Sequence, residues 1–517
     1  MSKPPAKLPK RILDKDLDKL ANVEEAAGHA GRQLVAPGLA LLFLVIAATF
    51  AAAMLGAPGA TPIAAAAAVA AYMALNIGAN DVANNVGPAV GARVIRMGGA
   101  LAMAAVCEVA GALIAGGRVV ETIAAGIVLP GEIEDAATLA RLMVAALMAA
   151  ALWIHLSTFI RAPVSTTHAI VGGVAGGGVA AAGLSAVNWP SMAAITASWV
   201  LSPVLAGLVA AAFLAMVEAT VFYRDDKLAA ARHWVPLFNA AMGGAFAAYL
   251  GDVAAPAGAP LAGGTLAWLG AAAAAVVFAA SRLAVGRQAR GLENRTQSLR
   301  VLFTPPLIAA AGLLSFAHGA NDVANAVGPL AAIVEASEAG QLGAETAVPF
   351  WVMLIGGLGI SVGLLLFGPR LIRIVGSEIT KLNPVRAFCI ALSTAVTVLL
   401  ATWLGLPVST THIAVGSVFG VGFYREWASV RSIRRRSYLQ RRRAAAGLAA
   451  DTALAAIDWK PPPADPRLGG KKGSDQERLR RRLVRRAHVT TIVTAWVTTV
   501  PVSAVLAALT YALLSML

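Results

Sequence analysis

Long apolar segments recur along the whole chain of 517 residues. A membrane-spanning helix needs roughly 20 mostly apolar residues, and thirteen segments of the sequence approach or exceed that length. Inside a bilayer the backbone must satisfy its own hydrogen bonds, which leaves helices or closed barrels. Such long apolar runs predict helices. The segments lie near 37–56, 62–92, 98–117, 138–160, 163–184, 192–218, 235–251, 262–281, 301–334, 348–368, 386–405, 407–424 and 488–516.

Composition excludes several classes of protein. With 58% hydrophobic and 13% charged residues, the chain is too apolar for a soluble globule. Cys107 and Cys389 both lie in apolar stretches, so neither a disulfide framework nor a cysteine metal site is expected. Most of the net charge of +15 falls in 425–486. This basic stretch is typical of a solvated cytoplasmic loop, with binding of anionic lipid as the alternative, and nucleic acid is not an expected partner.

The positions of charged residues predict the orientation in the membrane. Short cytoplasmic loops are enriched in Lys and Arg, and thirteen crossings from an inside N-terminus place Arg93, Arg96, the 282–300 linker and the 425–486 loop in the cytoplasm. The loops assigned to the outside are acidic or uncharged, with Arg118 as the exception. No secretory signal peptide is recognised at the N-terminus.

Two polar motifs occur twice, which predicts two related halves. GANDVANNVGP at 78–88 recurs as GANDVANAVGP at 319–329. PVSTTH at 163–168 recurs at 407–412, so the two motifs are displaced by 241 and 244 residues. A weaker third repeat pairs Trp199 and Ser202 with Trp496 and Thr499.

The two halves are predicted to lie in opposite orientations. Segment 62–92 runs from outside to inside in the topology above, whereas 301–334 runs from inside to outside. Inverted repeats with interrupted helices place a binding site near mid-membrane between the halves. The sequence therefore predicts an all-α integral membrane protein with two inverted-topology repeats, broken helices or re-entrant hairpins at 163–184 and 407–424, and about 12–13 membrane crossings.

The first motif places a carboxylate inside each of two apolar segments. A buried charge in a membrane costs several kcal/mol unless it has a partner or faces a cavity, so a functional role is favoured over a packing role. Carboxylate and amide oxygens are ligands that hard cations prefer. The candidate cation ligands are Asp81, Asp322, Asn80 and Asn321, with Asn84 and Asn325 beside them.

The second motif predicts a helix that begins within the membrane. Proline suits the first turn of a helix, and the exposed N–H groups of a helix start attract anions. The hydroxyl side chains that follow add further donors, although hydroxyls in membrane helices also commonly bond to the helix backbone. The candidate anion ligands are Ser165, Thr166, Thr167, Ser409, Thr410 and Thr411.

Other titratable residues in the spans are weaker candidates. His168 and His412 end the second motif, and packing is favoured over a proton-relay role for both. His318 precedes the second Asn-Asp motif, but Ile77 stands at the first copy, so His318 is not expected to be a symmetric ligand. Glu108 and Glu121 suit either a cation site or an interface.

The paired GANDVAN and PVSTTH motifs resemble the inorganic phosphate transporter family, the Pit group of phosphate permeases, from about 62 to 517. The resemblance implies symport of inorganic phosphate with Na⁺ or H⁺, or carriage of a neutral metal–phosphate complex. It assigns phosphate and cation binding to the two Asp-Asn motifs and the two Ser-Thr-Thr motifs, and Asn84 and Asn325 are then expected among the phosphate ligands. Neither motif carries a disabling change.

Three alternatives remain open. A sulfate or other oxyanion permease of the same family is the nearest, and a passive anion channel is the next. A membrane hydrolase using Ser165 or Thr167 with His168 is disfavoured, because neither Ser165 nor Thr167 stands in a G-x-S-x-G motif. We therefore expect no enzyme activity, no cofactor and no bound structural metal.

The expected organisation follows from these motifs. Phosphate, a coupling Na⁺ or H⁺ and the lipid bilayer are the expected partners, a homodimer is compatible with the sequence, and the expected location is the bacterial inner membrane with a cytoplasmic N-terminus. The domains are a cytoplasmic tail at 1–36, an additional transmembrane helix at 37–61, a first transport repeat at 62–222, accessory helices and a cytoplasmic linker at 223–300, a second transport repeat at 301–424, a basic cytoplasmic loop at 425–487 and a final transmembrane helix at 488–517 that completes the second repeat.

Overall fold

The computed structural model describes residues 12–55, 60–160, 164–255, 259–339, 348–378, 383–431 and 487–516. Every regular element in these ranges is a helix. The helices are α1 (Ile12–Leu55), α2 (Ala60–Gly91), α3 (Met97–Ala115), α4 (Gly117–Ala125), α5 (Ala136–Phe159), α6 (Thr166–Ala182), α7 (Trp189–Val217), α8 (Lys227–Val253), α9 (Gly263–Gln288), α10 (Ser298–Leu302), α11 (Thr304–Ala339), α12 (Phe350–Glu378), α13 (Pro384–Trp403), α14 (Thr410–Arg431) and α15 (Ala487–Leu514).

All thirteen apolar segments fall on helices, and ten helices of the described ranges are long and apolar enough to cross a membrane. The predicted segments 163–184, 235–251 and 407–424 lie on α6, α8 and α14, which are not among the ten. α6 has only 17 residues. Most of the basic loop at 425–487 lies outside the described residues.

The first helix is longer than its membrane-spanning part. The crossing predicted near 37–56 lies on the apolar part of α1, Leu34–Leu55, and the helix extends back to Ile12, into the segment predicted as a cytoplasmic tail. Residues 12–36 are rich in Ala and Leu, which have high helix propensity. The hydrophobic pattern marks only the part of a helix that lipid can cover, so it could not locate this start.

The motif helices pack on helices of the other half. A Cβ added to Gly78 on α2 would collide with the carbonyl oxygen of Ile360 on α12. The equivalent Gly319 on α11 packs in the same way against the carbonyl of Glu108 on α3. Each helix with an Asn-Asp motif therefore lies against the helix that follows the other motif.

The second pair of motif helices, α6 and α14, also packs closely on other helices in an equivalent way. Gly176 on α6 packs against the backbone of Ala504 on α15, and Gly420 on α14 packs against the backbone of Gly207 on α7. The weak third repeat around Trp199 and Trp496 lies on α7 and α15, which occupy these equivalent places. The two halves are thus interlocked.

The motif helices α2 and α11 run in opposite directions. α2 is parallel to α12, since Gly78 lies against Ile360 and Val82 lies against Gly368. By the same kind of contact α11 is parallel to α3, whereas α3 and α12 are antiparallel, with the Ser361 hydroxyl bonded to the Ala105 carbonyl. Inverted repeats require this opposite course, and the orientation of each half in a membrane stays a prediction.

Candidate functional site

The duplicated motifs meet in the interior of the helix bundle. Asp81 and Asp322 are buried in the middle of α2 and α11. The helices α6 and α14 begin beside them at Thr166 and Thr410, each after an antiparallel helix, α5 or α13. The structure therefore brings two buried carboxylates to two buried helix starts.

The serines of the second motif cap these helices. The Ser165 hydroxyl oxygen accepts from the backbone N–H of His168 at 3.2 Å, and the Ser409 oxygen accepts from the N–H of His412 at 3.3 Å. Serine is a preferred capping residue because its oxygen replaces a missing backbone acceptor. Both serines were predicted as substrate ligands, which stays a prediction, and the structure shows that their oxygens cap the two helix starts.

Asp81 accepts hydrogen bonds from uncharged donors of both halves. Its Oδ1 atom accepts from the amides of Asn80 at 3.1 Å and Asn84 at 3.3 Å, and from the Thr411 hydroxyl at 2.8 Å. Its Oδ2 atom accepts from the Thr166 hydroxyl at 3.3 Å. Charged acceptors form stronger hydrogen bonds than neutral ones, so this carboxylate draws the two halves together.

Asp322 has fewer partners. Its Oδ2 atom accepts from the Thr410 hydroxyl at 3.0 Å, as the equivalent Asp81 accepts from Thr166. Its buried Oδ1 atom has no hydrogen-bond partner among the described residues. A buried acceptor without a partner is costly, and such an atom is well placed to receive a hydrogen bond from a ligand.

The second asparagine of each Asn-Asp motif forms a hydrogen bond with the other half. Asn84 of the first half donates to the Thr411 hydroxyl at 2.8 Å, and the equivalent Asn325 of the second half donates to the Thr167 hydroxyl at 3.0 Å. Thr167 itself donates to the carbonyl of Val408 at 2.9 Å. The predicted anion ligands and the predicted cation ligands therefore form one continuous network.

Asn80 and Asn321 mainly hold the turns that precede α6 and α14. Asn321 donates to the Leu406 carbonyl at 3.1 Å and accepts from the Val408 N–H at 3.1 Å. Asn80 donates to the Val164 carbonyl at 3.4 Å besides its bond to Asp81. Both were predicted as cation ligands, which stays a prediction, and the contacts in the structure position the two helix starts.

His318 lies at the centre of the site, which the sequence reasoning did not anticipate. Its Nδ1 atom is 2.7 Å from Glu108 Oε2, and its Nε2 atom is 2.9 Å from Asp322 Oδ2 and 3.9 Å from Asp81 Oδ2. The lack of a symmetric counterpart was the reason for setting it aside. The spacing of four residues between His318 and Asp322 was an available signal, since such residues share one face of a helix.

Asp81, His318 and Asp322 form the candidate cation group. Each offers one ligand atom, and these atoms all lie within 4.8 Å of one another. All three side chains are buried. Hard cations accept carboxylate and hydroxyl oxygens as ligands, whereas an imidazole nitrogen suits transition metals better.

The histidines of the second motif pack between the helix starts. The rings of His168 and His412 lie 4.7 Å apart edge to face, and the Trp199 ring lies 3.8 Å from His168. The Trp199 indole N–H donates to the Pro407 carbonyl at 3.0 Å. These contacts join α6, α7 and the turn before α14, as the favoured packing role requires.

Comparison with known proteins identifies the family. The model of a phosphate transporter family matches residues 77–507, which is most of the chain. The chain belongs to the phosphate transporter family. A relative from Helicobacter pylori strain J99, named "Putative phosphate permease", is 44% identical over 460 residues that cover 82% of this chain and 84% of that protein. A relative of the same description from Thermococcus kodakarensis is 39% identical and covers 65% of this chain and 82% of that protein.

A solved structure of the family has the same fold. The protein described as "The sodium-dependent phosphate transporter" matches with a TM-score of 0.72 and 32% identity, and the match covers 88% of this chain and all of that chain, 100%. Members of the phosphate transporter family are transporters, so the expectations of a multi-pass membrane protein and of no enzyme activity are confirmed.

Proposed function

We propose that this family member imports inorganic phosphate together with Na⁺ as a secondary active transporter. The observation that supports it is the continuous network between two helix starts and two buried carboxylates. Helix starts and hydroxyls stabilise an anion, and carboxylates stabilise a cation. A site that holds both at once couples their binding, because each ion lowers the electrostatic cost of the other.

Phosphate fits this network better than sulfate does. Near neutral pH phosphate keeps at least one proton and donates a hydrogen bond to a carboxylate, for which Asp322 Oδ1 offers a buried acceptor without a partner in the described residues. Sulfate lacks this donor and would leave the acceptor unsatisfied. A site with a buried hydrogen-bond acceptor discriminates strongly against ligands that cannot donate a hydrogen bond to it. A permease for sulfate is therefore the second candidate.

Sodium is the favoured coupling ion for two reasons. Carboxylate, amide and hydroxyl oxygens are hard-cation ligands, and Asp81 lies beside the Asn84 amide and the Thr411 hydroxyl, both of which donate to its Oδ1 atom in this structure. The structural relative is described as sodium-dependent. A proton carried by a buried carboxylate is the alternative driver, and a neutral metal–phosphate complex is the alternative form of the substrate.

Uptake of labelled phosphate into proteoliposomes tests the proposal. We expect the proteoliposomes to accumulate phosphate under an inward Na⁺ gradient. Uptake should persist when the pH gradient is collapsed and when divalent metal is chelated. Excess sulfate should inhibit it weakly. Uptake that depends on neither the Na⁺ gradient nor the proton gradient would contradict symport. Strong inhibition by sulfate would favour the oxyanion alternative.

The interlocked halves support a mechanism of alternating access. Because the motif helices run in opposite directions and exchange partners, a movement of the α5–α6 hairpin against its neighbours has an equivalent in the α13–α14 hairpin. Transporters with inverted repeats open alternately to the two sides around a fixed central site. The proposed location is the bacterial inner membrane, with a cytoplasmic N-terminus.

The Thr411 hydroxyl provides a specific test of the shared network. It donates to Asp81 and accepts from Asn84, so it connects the two halves at the proposed cation site. We expect Thr411→Val to raise the half-saturating Na⁺ concentration of phosphate uptake about tenfold, because one charge-assisted hydrogen bond is lost. Thr498→Val is the matched control, since this exposed hydroxyl bonds only to the backbone of its own helix. Equal Na⁺ dependence of both variants would count against the assignment.

A further inference from the structure

The turn that joins α13 to α14, residues 404–409, is held by side chains of two other helices. Arg118 on α4 donates to the Trp403 carbonyl at 3.0 Å, and the Thr122 hydroxyl on the same helix donates to the Gly405 carbonyl at 2.7 Å. The Trp403 indole N–H donates to Asp252 Oδ2 on α8 at 2.7 Å. We call these five residues the turn clamp.

An ion pair connects the two outer residues of the turn clamp. Asp252 Oδ2 lies 3.5 Å from Arg118 Nη2, and the Asp252 and Arg118 side chains are 25% and 46% exposed. Arg118 is the exception to the charge pattern that predicts the orientation, because that pattern places few arginines on the outer side. Its contacts with a carboxylate and with the hairpin turn give this arginine a local role there.

The turn clamp is directly connected to the candidate binding site. Thr410 follows Gly405 by five residues, and its hydroxyl donates to Asp322 Oδ2 at 3.0 Å. Between these positions, Asn321 donates to the Leu406 carbonyl at 3.1 Å. Gly405 has a φ of +69°, in the left-handed region that glycine adopts without strain. A shift of the turn would therefore move Thr410 relative to the buried carboxylate.

The α5–α6 hairpin has the asparagine anchor but a different residue at the place of the clamp tryptophan. The Thr158 hydroxyl donates to the Asn80 side-chain oxygen at 3.3 Å, and the Asn80 amide donates to the Val164 carbonyl at 3.4 Å. Phe159 is equivalent to Trp403 in the repeat, and its ring has no N–H group to donate. Phe159 is 81% exposed, against 44% for Trp403. The repeat can therefore be built without the indole contact.

The contacts of the turn clamp can break without unfolding the helix bundle. Arg118 and Asp252 are both partly exposed. Exposed ion pairs and hydrogen bonds contribute little to stability, because water replaces the partners that are lost. An element that switches between two conformations needs contacts of this strength, since both conformations must be populated.

We propose that Arg118 and Asp252 are positioning residues for transport. They hold the turn before α14 closed over the site, and phosphate reaches the site from the predicted outer side when the turn clamp opens. The inference rests on the proposed function, because it assigns a step of that transport to these residues. Both act through the backbone of the turn on Thr410 and Thr411. The inference also gives α8, which belongs to neither repeat, a part in transport.

A cysteine placed in the turn tests the clamp directly. Val408 is buried, at 0% exposure, and the chain has two cysteines, so Val408→Cys in a Cys107→Ser, Cys389→Ser background carries a single thiol. A membrane-impermeant maleimide is added to right-side-out membrane vesicles. We expect the thiol to be labelled at least about fivefold faster when Asp252→Ala or Trp403→Phe is added, because the open turn is then more populated.

Transport kinetics separate a positioning role from a purely structural one. Asp252→Ala and Trp403→Phe should each raise the apparent KM for phosphate about fivefold and change the maximal rate by less than about twofold, because Thr410 and Thr411 are no longer held in place. Asp252→Asn keeps an acceptor for the indole and should have a smaller effect. A loss of folded protein would instead lower the maximal rate and leave KM unchanged.

Two control variants match these substitutions. Trp268→Phe removes an indole that is 79% exposed on α9, and should have the labelling rate and KM of the parent protein. Asp135→Ala removes the cap of α5, since Asp135 accepts from the Thr138 N–H at 2.7 Å. Loss of a helix cap should lower the melting temperature without changing the labelling of Val408→Cys.

The possible results separate the inference from the function on which it rests. Unchanged labelling in both Asp252→Ala and Trp403→Phe would overturn the inference, and so would faster labelling with an unchanged KM. Wild-type protein that takes up no phosphate would overturn the proposed function, and the labelling rates would still show whether the clamp holds the turn. Should Asp252→Ala fail to fold, Trp403→Phe decides the question.

Discussion

Asp81→Asn is expected to reduce Na⁺-driven phosphate uptake by about 100-fold or more. The carboxylate forms several charge-assisted hydrogen bonds, and the loss of each is expected to lower uptake by about a factor of ten. Asn keeps the size of the side chain but removes the charge. Oδ1 of Asp81 accepts from Asn80, Asn84 and Thr411, so the neutral amide weakens the contact between the halves as well as the attraction for a cation.

The measurement compares initial uptake rates at equal amounts of protein in the membrane. Glu293→Gln is the matched control, because its side chain is exposed and pairs with the equally exposed Arg295. Surface ion pairs contribute little to stability, so this variant should transport normally. Asp322→Asn is expected to behave as Asp81→Asn does. Normal uptake by either aspartate variant, at normal expression, would show that the site is assigned wrongly.

Repetition in the sequence predicted much of this site. Gly78 and Gly319, Asp81 and Asp322, and the Thr residues of both PVSTTH motifs stand at equivalent positions, and equivalent sequences fold alike. The exposed backbone groups of a helix start explain why hydroxyl-rich motifs mark the starts of α6 and α14. The pairing of the third repeat, on α7 and α15, also agrees with the packing.

The asymmetric residues could not be found by the same reasoning. His318 was discounted because Ile77 replaces it in the first copy, and Glu108 was left open between a cation site and an interface. Their pairing joins α3 to α11, two helices that are far apart in sequence, so no local pattern reveals it. A repeat predicts what two halves share, and the chemistry that separates them depends on tertiary contacts.

The packing of each motif helix on a helix of the other half was also not predicted from the sequence. Hydropathy marks where a helix crosses a membrane but not which helix it contacts. The contacts are set by glycines, whose missing side chains let backbones approach closely. Gly111 and Gly363, which belong to neither repeated motif, lie at equivalent close contacts of α3 and α12.

Gly78→Ala and Gly319→Ala are expected to destabilise the protein strongly. In each case the new Cβ would collide with a backbone carbonyl oxygen, of Ile360 or of Glu108, and a carbonyl within a helix cannot move aside independently. Overpacking of this kind costs about 1–3 kcal/mol or more. We expect a lower melting temperature and aggregation in fluorescence-detected size-exclusion chromatography of the detergent-solubilised protein.

Gly87→Ala is the matched control on the same helix. A Cβ at Gly87 meets no atom within 4 Å. Alanine is favoured over glycine within a helix by about 1 kcal/mol, so this variant should melt at the same temperature as the wild type or above it. The two substitutions on α2 therefore have opposite expected signs, which separates close helix contact from a general effect of helix propensity. Equal behaviour would argue against the packing of α2 on α12.

Rescue by a second substitution distinguishes the two kinds of close contact in this bundle. At Gly356 on α12, the atoms that a Cβ would meet first belong to the side chains of Val327 and then Val323 on α11. Val327→Ala should therefore restore part of the stability that Gly356→Ala loses, because a side chain can be shortened. Ile360→Ala should not rescue Gly78→Ala, since the colliding atom there is backbone. Rescue at Gly356 without rescue at Gly78, measured as melting temperatures of the double variants, would establish that the Asn-Asp helix is held by direct backbone contact with the other half.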